Sequence, residues 1–88
     1  MVTIATKTIS IVIDNSQSRT VIQRPRPDDD YLPYAGSSAK AADMLLRHGI
    51  DRVRLGVTVA AGQNEDAAMK EAGREVKKMM ATGGSYFA

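Results

Sequence analysis

Cysteine and tryptophan are absent from this 88-residue chain, and histidine and phenylalanine occur once each. Without cysteine there is neither a disulfide framework nor a thiolate metal site, so the interior has to hold by packing alone. His48 has no second histidine or cysteine to converge with, which leaves imidazole acid–base or metal chemistry without a partner. The Gly-x-Ser-x-Gly elbow of serine nucleophiles is missing as well. Long hydrophobic runs are also lacking. The apolar start, Ile9-Ser10-Ile11-Val12-Ile13, is interrupted by a serine and is far shorter than the roughly 20 residues of a membrane span. No charged leader precedes it as in a signal peptide. A cytoplasmic protein without membrane contact is the expectation. Neither sign of charge is in excess, since 12 basic residues face 10 acidic ones for a net +2, so general binding to polyanions is not written into the composition.

What is present reads as one small α+β domain over residues 1–88, a size that buries only about 60–65% of the surface its unfolded form exposes. From Thr8 to Asp14, Ile9, Ile11 and Ile13 alternate with polar residues, the period of a strand with one buried face. Val12 adds an apolar residue on the second face, as in a central strand. The turn formers Asp14 to Ser18 lead into Thr20, Val21 and Ile22, so a hairpin is predicted over 8–24. Pro25 and Pro27 end it, because neither can donate to a ladder. After a connector over 25–36, Ser37 or Ser38 can cap a helix over 37–48 whose apolar stripe is Ala39, Ala42, Leu45 and Leu46, with Asp43 and Arg47 paired outside. Gly49 supplies a left-handed closure beside His48, and Ile50 folds back. A strand over 51–60 puts Val53, Leu55, Val57 and Val59 on one face. Asn64, Glu65 and Asp66 open a helix over 64–82 with a stripe of Met69, Ala72, Val76, Met79 and Met80, and residues 83–88 form a frayed tail. A helix between the second and third strands lets the third pair antiparallel with the first. The predicted sheet is therefore three-stranded, antiparallel and ordered 2-1-3, with both helices on one face and the other face open.

All three prolines, a run of three acids and two of three tyrosines fall between Arg24 and Tyr34. Proline stiffens and extends such a segment, so it is read as an exposed connector. Asp28, Asp29 and Asp30 are oxygen donors of the kind Mg²⁺ or Ca²⁺ prefers. Consecutive carboxylates on an extended chain diverge, however, and the EF-hand spacing is missing, so no metal or cofactor is expected. Contact with a partner suits them better: the carboxylates can occupy a basic groove while Tyr31 and Tyr34 supply rigid contact area. Arg24, Arg26, Arg52 and Arg54 lie on or beside the strands and complete the candidate partner-binding set. Arg52 and Arg54 share the open sheet face with Thr8 and Ser10, where a basic sheet could track a nucleic-acid backbone, although no strand carries a ring on which bases stack. On the last helix, Lys70, Arg74, Lys77 and Lys78 are expected to pair with Asp66, Glu71 and Glu75 in a solvated face.

Pro33-Tyr34-Ala35 through Leu46, followed by His48-Gly49-Ile50-Asp51-Arg52-Val53 and the strand beyond, resembles the helix–glycine–strand core of certain ribosomal RNA-binding proteins over about half the chain. Where that group carries a glycine-rich basic loop this chain has Ala61-Gly62-Gln63-Asn64-Glu65, so no functional residue is carried over. The architecture is also similar in kind to small phage-encoded inhibitors such as anti-CRISPR proteins. The expected function is that of a non-enzymatic interaction protein, monomeric or homodimeric, which binds and blocks or organises a protein or nucleoprotein complex. An RNA- or DNA-binding module built on Arg24, Arg52 and Arg54 is the alternative.

Overall fold

The computed structural model of the chain describes residues 5–17, 19–27 and 35–82. They form β1 (Thr6–Asp14), β2 (Val21–Gln23), α1 (Ser38–Leu46), β3 (Arg52–Ala60) and α2 (Glu65–Ala81). The sheet is antiparallel in the order β2-β1-β3, the α+β topology that the alternation predicts. Register puts Ile9 opposite Val57, Ile11 opposite Leu55 and Ile13 opposite both Val53 and Ile22. Alternation then collects these side chains on one face. Both helices lie there, contributing Ala41, Ala42 and Leu45 from α1 and Ala72 and Val76 from α2 to a common core. Ile11, Ile13, Val53 and Val76 are completely buried, each side chain supplying about 1.5–3 kcal/mol relative to exposure.

The element ends are set by local chemistry. Ser37 accepts a hydrogen bond from the Lys40 N–H at 3.2 Å and caps α1. Asn64 accepts from Asp66 N–H at 2.8 Å and Ala67 N–H at 3.2 Å and caps α2, whose first turn carries Glu65 and Asp66 at the positive end of its dipole. Gly49 adopts φ +62°, as a left-handed closure requires, and the Ile50 N–H returns to the Met44 carbonyl.

The structure departs from the sequence expectations in the extent of the strands, the stripe of α1 and the cover of the sheet. β1 begins at Thr6 rather than Thr8, because Thr6 and Lys7 pair with Ala60 and Val59; Lys7 stands at the end of the core face, where its ammonium reaches Glu65 at 3.4 Å. β2 is limited to Val21–Gln23, since Thr20 donates its hydroxyl to Asn15 and belongs to the turn. The buried stripe of α1 is Ala41, Ala42 and Leu45, which leaves Leu46 40% exposed one position around the helix. The helix-free sheet face is not uniformly open, because Val12 in its middle is completely buried. The tail at 83–88 lies outside the described residues.

α2 buries Ala68 and Gly73 in addition to Ala72 and Val76, while Met69, Met79 and Met80 pack only partly against the core. Gly73 is where the helix crosses β2. A β-carbon there would lie 2.5 Å from Ile22 Cγ1 and closer still to Cδ1, so hydrogen is the only substituent that fits without movement.

Candidate functional site

The candidate residues divide between two sides of the sheet. On the helix-free face, register sets Asp14 opposite Arg52, Val12 opposite Arg54, Ser10 opposite Gly56 and Thr8 opposite Thr58. Arg52 and Arg54 therefore do share a face with Thr8 and Ser10. Asp14 accepts hydrogen bonds from the Ser16 hydroxyl at 2.5 Å and the Ser16 N–H at 2.9 Å. Those two bonds, with a smaller attraction from Arg52, hold its carboxyl below the ordinary carboxylate value despite slight burial. Arg54 is half-buried, with its Nε withdrawn from solvent beside the buried Val12.

Arg24 belongs to the other side. It follows β2 and reaches back to α2, where its guanidinium lies 3.2 Å from Asp66. Both side chains are more than half exposed, so this is a weak surface pair. The arrangement separates Arg24 from Arg52 and Arg54. Arg26 is exposed beyond it. Asp28, Asp29, Asp30, Tyr31 and Tyr34 lie outside the described residues.

The far end of the connector returns at Ala35, which is buried and joins the core. Its N–H donates to the Arg54 carbonyl at 2.5 Å. This bond also orients the strand. Asn15 N–H donates to the Asp51 carbonyl, so odd-numbered residues of β3 face β1, while Arg54 and the other even-numbered residues turn their backbone groups to the outer edge. Connector exit and arginine strand are thus fastened backbone to backbone.

His48 lies past the end of α1, 59% exposed, with Nε2 3.6 Å from Asp43 Oδ2; the same carboxylate receives Arg47 Nε at 2.9 Å. This is a helix-end cluster in solvent. The 36–40 segment caps α1 through Ser37, as its residue types suggest.

The last helix differs from expectation. Among the described residues, Lys70, Arg74, Lys77 and Lys78 form no ion pair with Glu71 or Glu75. Glu65 and Asp66 reach instead to Lys7 on β1 and to Arg24 just beyond β2. Exposed helical pairs contribute only about 0.2–0.5 kcal/mol, too little to direct long side chains. Glu71 and Glu75 line a cleft of about 300 Å³ between α2 and the 56–58 edge of β3, a site that sequence reasoning missed. Its one local signal is Gly56, a glycine in the middle of a strand otherwise made for packing.

Among the described residues no helix is long and apolar enough to cross a membrane. No protein-family model, curated protein or solved structure matches the chain.

Proposed function

We propose that this chain is a small non-enzymatic interaction protein, acting in the cytoplasm, that binds a macromolecular complex and blocks or organises it in the manner of a phage-encoded inhibitor such as an anti-CRISPR protein. A complex that handles nucleic acid is the favoured partner, because it offers the basic grooves into which an acidic, tyrosine-bearing segment docks. The observation that supports this reading is the hydrogen bond from Ala35 N–H to the Arg54 carbonyl. It ties Ala35, the first described residue after the acidic, tyrosine-bearing stretch of the sequence, to the strand that bears Arg52 and Arg54. The test is affinity capture from native host lysate with the wild-type chain and with Asp28, Asp29 and Asp30 all changed to lysine. A partner held by the wild type and released by an equally stable variant is the expected result. Equal retention by both would remove the acidic segment from the contact.

The common face of Arg52 and Arg54 favours, as a second reading, an RNA- or DNA-binding module. That reading requires affinity for single- or double-stranded nucleic acid that rises steeply as salt is lowered. Absence of binding at low salt would dispose of it.

A further inference from the structure

The outer edge of β3 has two ends that are already satisfied. At one, the Arg54 carbonyl takes the Ala35 N–H; at the other, Ala60 donates its N–H to Gln63 Oε1 at 3.0 Å and accepts from Gln63 N–H at 3.0 Å. Between them lie Gly56 and Thr58, whose N–H and C=O groups point outward by the same alternation and have no partner among the described residues. Unsatisfied strand edges of this kind are templates for another strand. Directly beside this gap is the cleft bounded by Ala68, Glu71 and Glu75 of α2, with Ser38 at its end. Gly56 carries no side chain to obstruct close approach of a second backbone.

We infer that the Gly56–Thr58 edge and the adjoining cleft bind an extended basic peptide as a fourth strand of the sheet. Charge selects the occupant. Glu71 and Glu75 line the cleft without an ion-pair partner among the described residues. Spacing agrees with charge: one helical turn separates the two carboxylates by about 6 Å along the axis. Alternate residues of an added strand recur about every 6.6 Å and point to the same face. A peptide with lysine or arginine at positions two apart can therefore set one cation against each glutamate while its backbone pairs with Gly56 and Thr58. A second copy of the chain suits the edge less well. Antiparallel pairing of two β3 strands would place both α2 helices on the same face of the joined sheet and bring Glu71 and Glu75 against their counterparts, a like-charge arrangement. The site is separate from the arginine face and does not depend on the function proposed for it.

The probe is the acetylated and amidated peptide Lys-Val-Lys-Val-Lys, with Glu-Val-Glu-Val-Glu as its counterpart, titrated into the ¹⁵N-labelled protein. The basic peptide should shift and protect the Gly56 and Thr58 amides, and the acidic peptide should not. Glu71→Gln with Glu75→Gln should weaken binding by about three- to tenfold, the scale of two solvent-exposed ion pairs, without lowering stability. The inference is overturned if neither amide responds at millimolar peptide, if both peptides bind alike, or if the double variant binds as the wild type does. Concentration-dependent protection of the same amides in the free protein would overturn it in favour of self-association.

Discussion

Replacing Gly73 with alanine sets two effects against each other, and their balance can be worked from the crossing of α2 over β2. In a solvent-facing helix the change would stabilise by about 1 kcal/mol, because alanine loses less backbone entropy than glycine. At this crossing the new methyl would sit 2.5 Å from Ile22 Cγ1, whereas carbon atoms in contact prefer about 3.5–4.0 Å. Rotation about χ2 moves only the terminal Cδ1. Cγ1 turns with χ1, which is stiff in a β-branched residue, so relief requires an unfavourable rotamer or a shift of α2 from the sheet. Overpacking of this kind costs about 1–3 kcal/mol, so a net loss of up to about 2 kcal/mol is expected after the propensity gain. In a domain of this size, 1 kcal/mol corresponds to a drop of about 4–8 °C in melting temperature. The assay is urea and thermal unfolding of four proteins: wild type, Gly73→Ala, Ile22→Ala and the double variant. With Ile22 truncated the obstruction disappears, and Gly73→Ala should stabilise by up to about 1 kcal/mol, giving a coupling of about 1–3 kcal/mol. An equal cost in both backgrounds, or a gain in the wild-type background, would refute the reasoning.

Other consequences follow from the helix ends and the sheet face. Asn64→Ala removes the acceptor of two N–H groups at the start of α2 and should cost about 1 kcal/mol by urea denaturation, with Asn64→Asp retaining most of the stability. Gly49→Ala meets no atom within 4 Å, so its expected loss of roughly 1–2 kcal/mol is due to backbone strain at φ +62° alone, and Gly49→Asn should lose less. The lowered pKa of Asp14 means that the folded state binds its proton less readily than the unfolded chain does. Its contribution to stability is therefore complete above the ordinary value of 3.8 and is lost as pH falls below that through the folded-state value. A pH series of unfolding midpoints should show a shallower acid-side slope for Ser16→Ala, which loses the largest source of the shift.

Features decided within a few residues were legible before the fold was seen. Alternation in Ile9, Ile11 and Ile13 and in Val53, Leu55 and Val57 identified the core face, since one residue of slippage would have turned each set outward. Ser37, Asn64 and Gly49 announced their roles through side-chain acceptors and the left-handed conformation. Features decided by docking were not legible. Leu46 and Ala41 each fit an apolar stripe, and only the direction from which the sheet meets α1 buries Ala41 and exposes Leu46. Nothing near Gly73 in the chain marks it as a crossing point, because the Ile22 side chain that excludes a β-carbon there comes from a strand about 50 residues earlier. The same holds for the candidate surfaces. Arg24, Arg52 and Arg54 are close in type, but the Ile22-side parity of β2 and the position of Asp66 draw Arg24 to the helical side. The cleft at Glu71 and Glu75 needs an edge strand that lies far away along the chain.

Hydrogen exchange across the captured complex would test the proposed contact most directly, because it reads the footprint without presupposing the partner. Binding through the connector and the arginine strand should slow exchange across Arg24–Gly36 and at the outward amides of Arg52 and Arg54, with little change along the outer side of α2. Protection confined to α2, with the connector and β3 exchanging as in the free chain, would contradict the proposed contact and move the binding surface to the opposite side of the molecule.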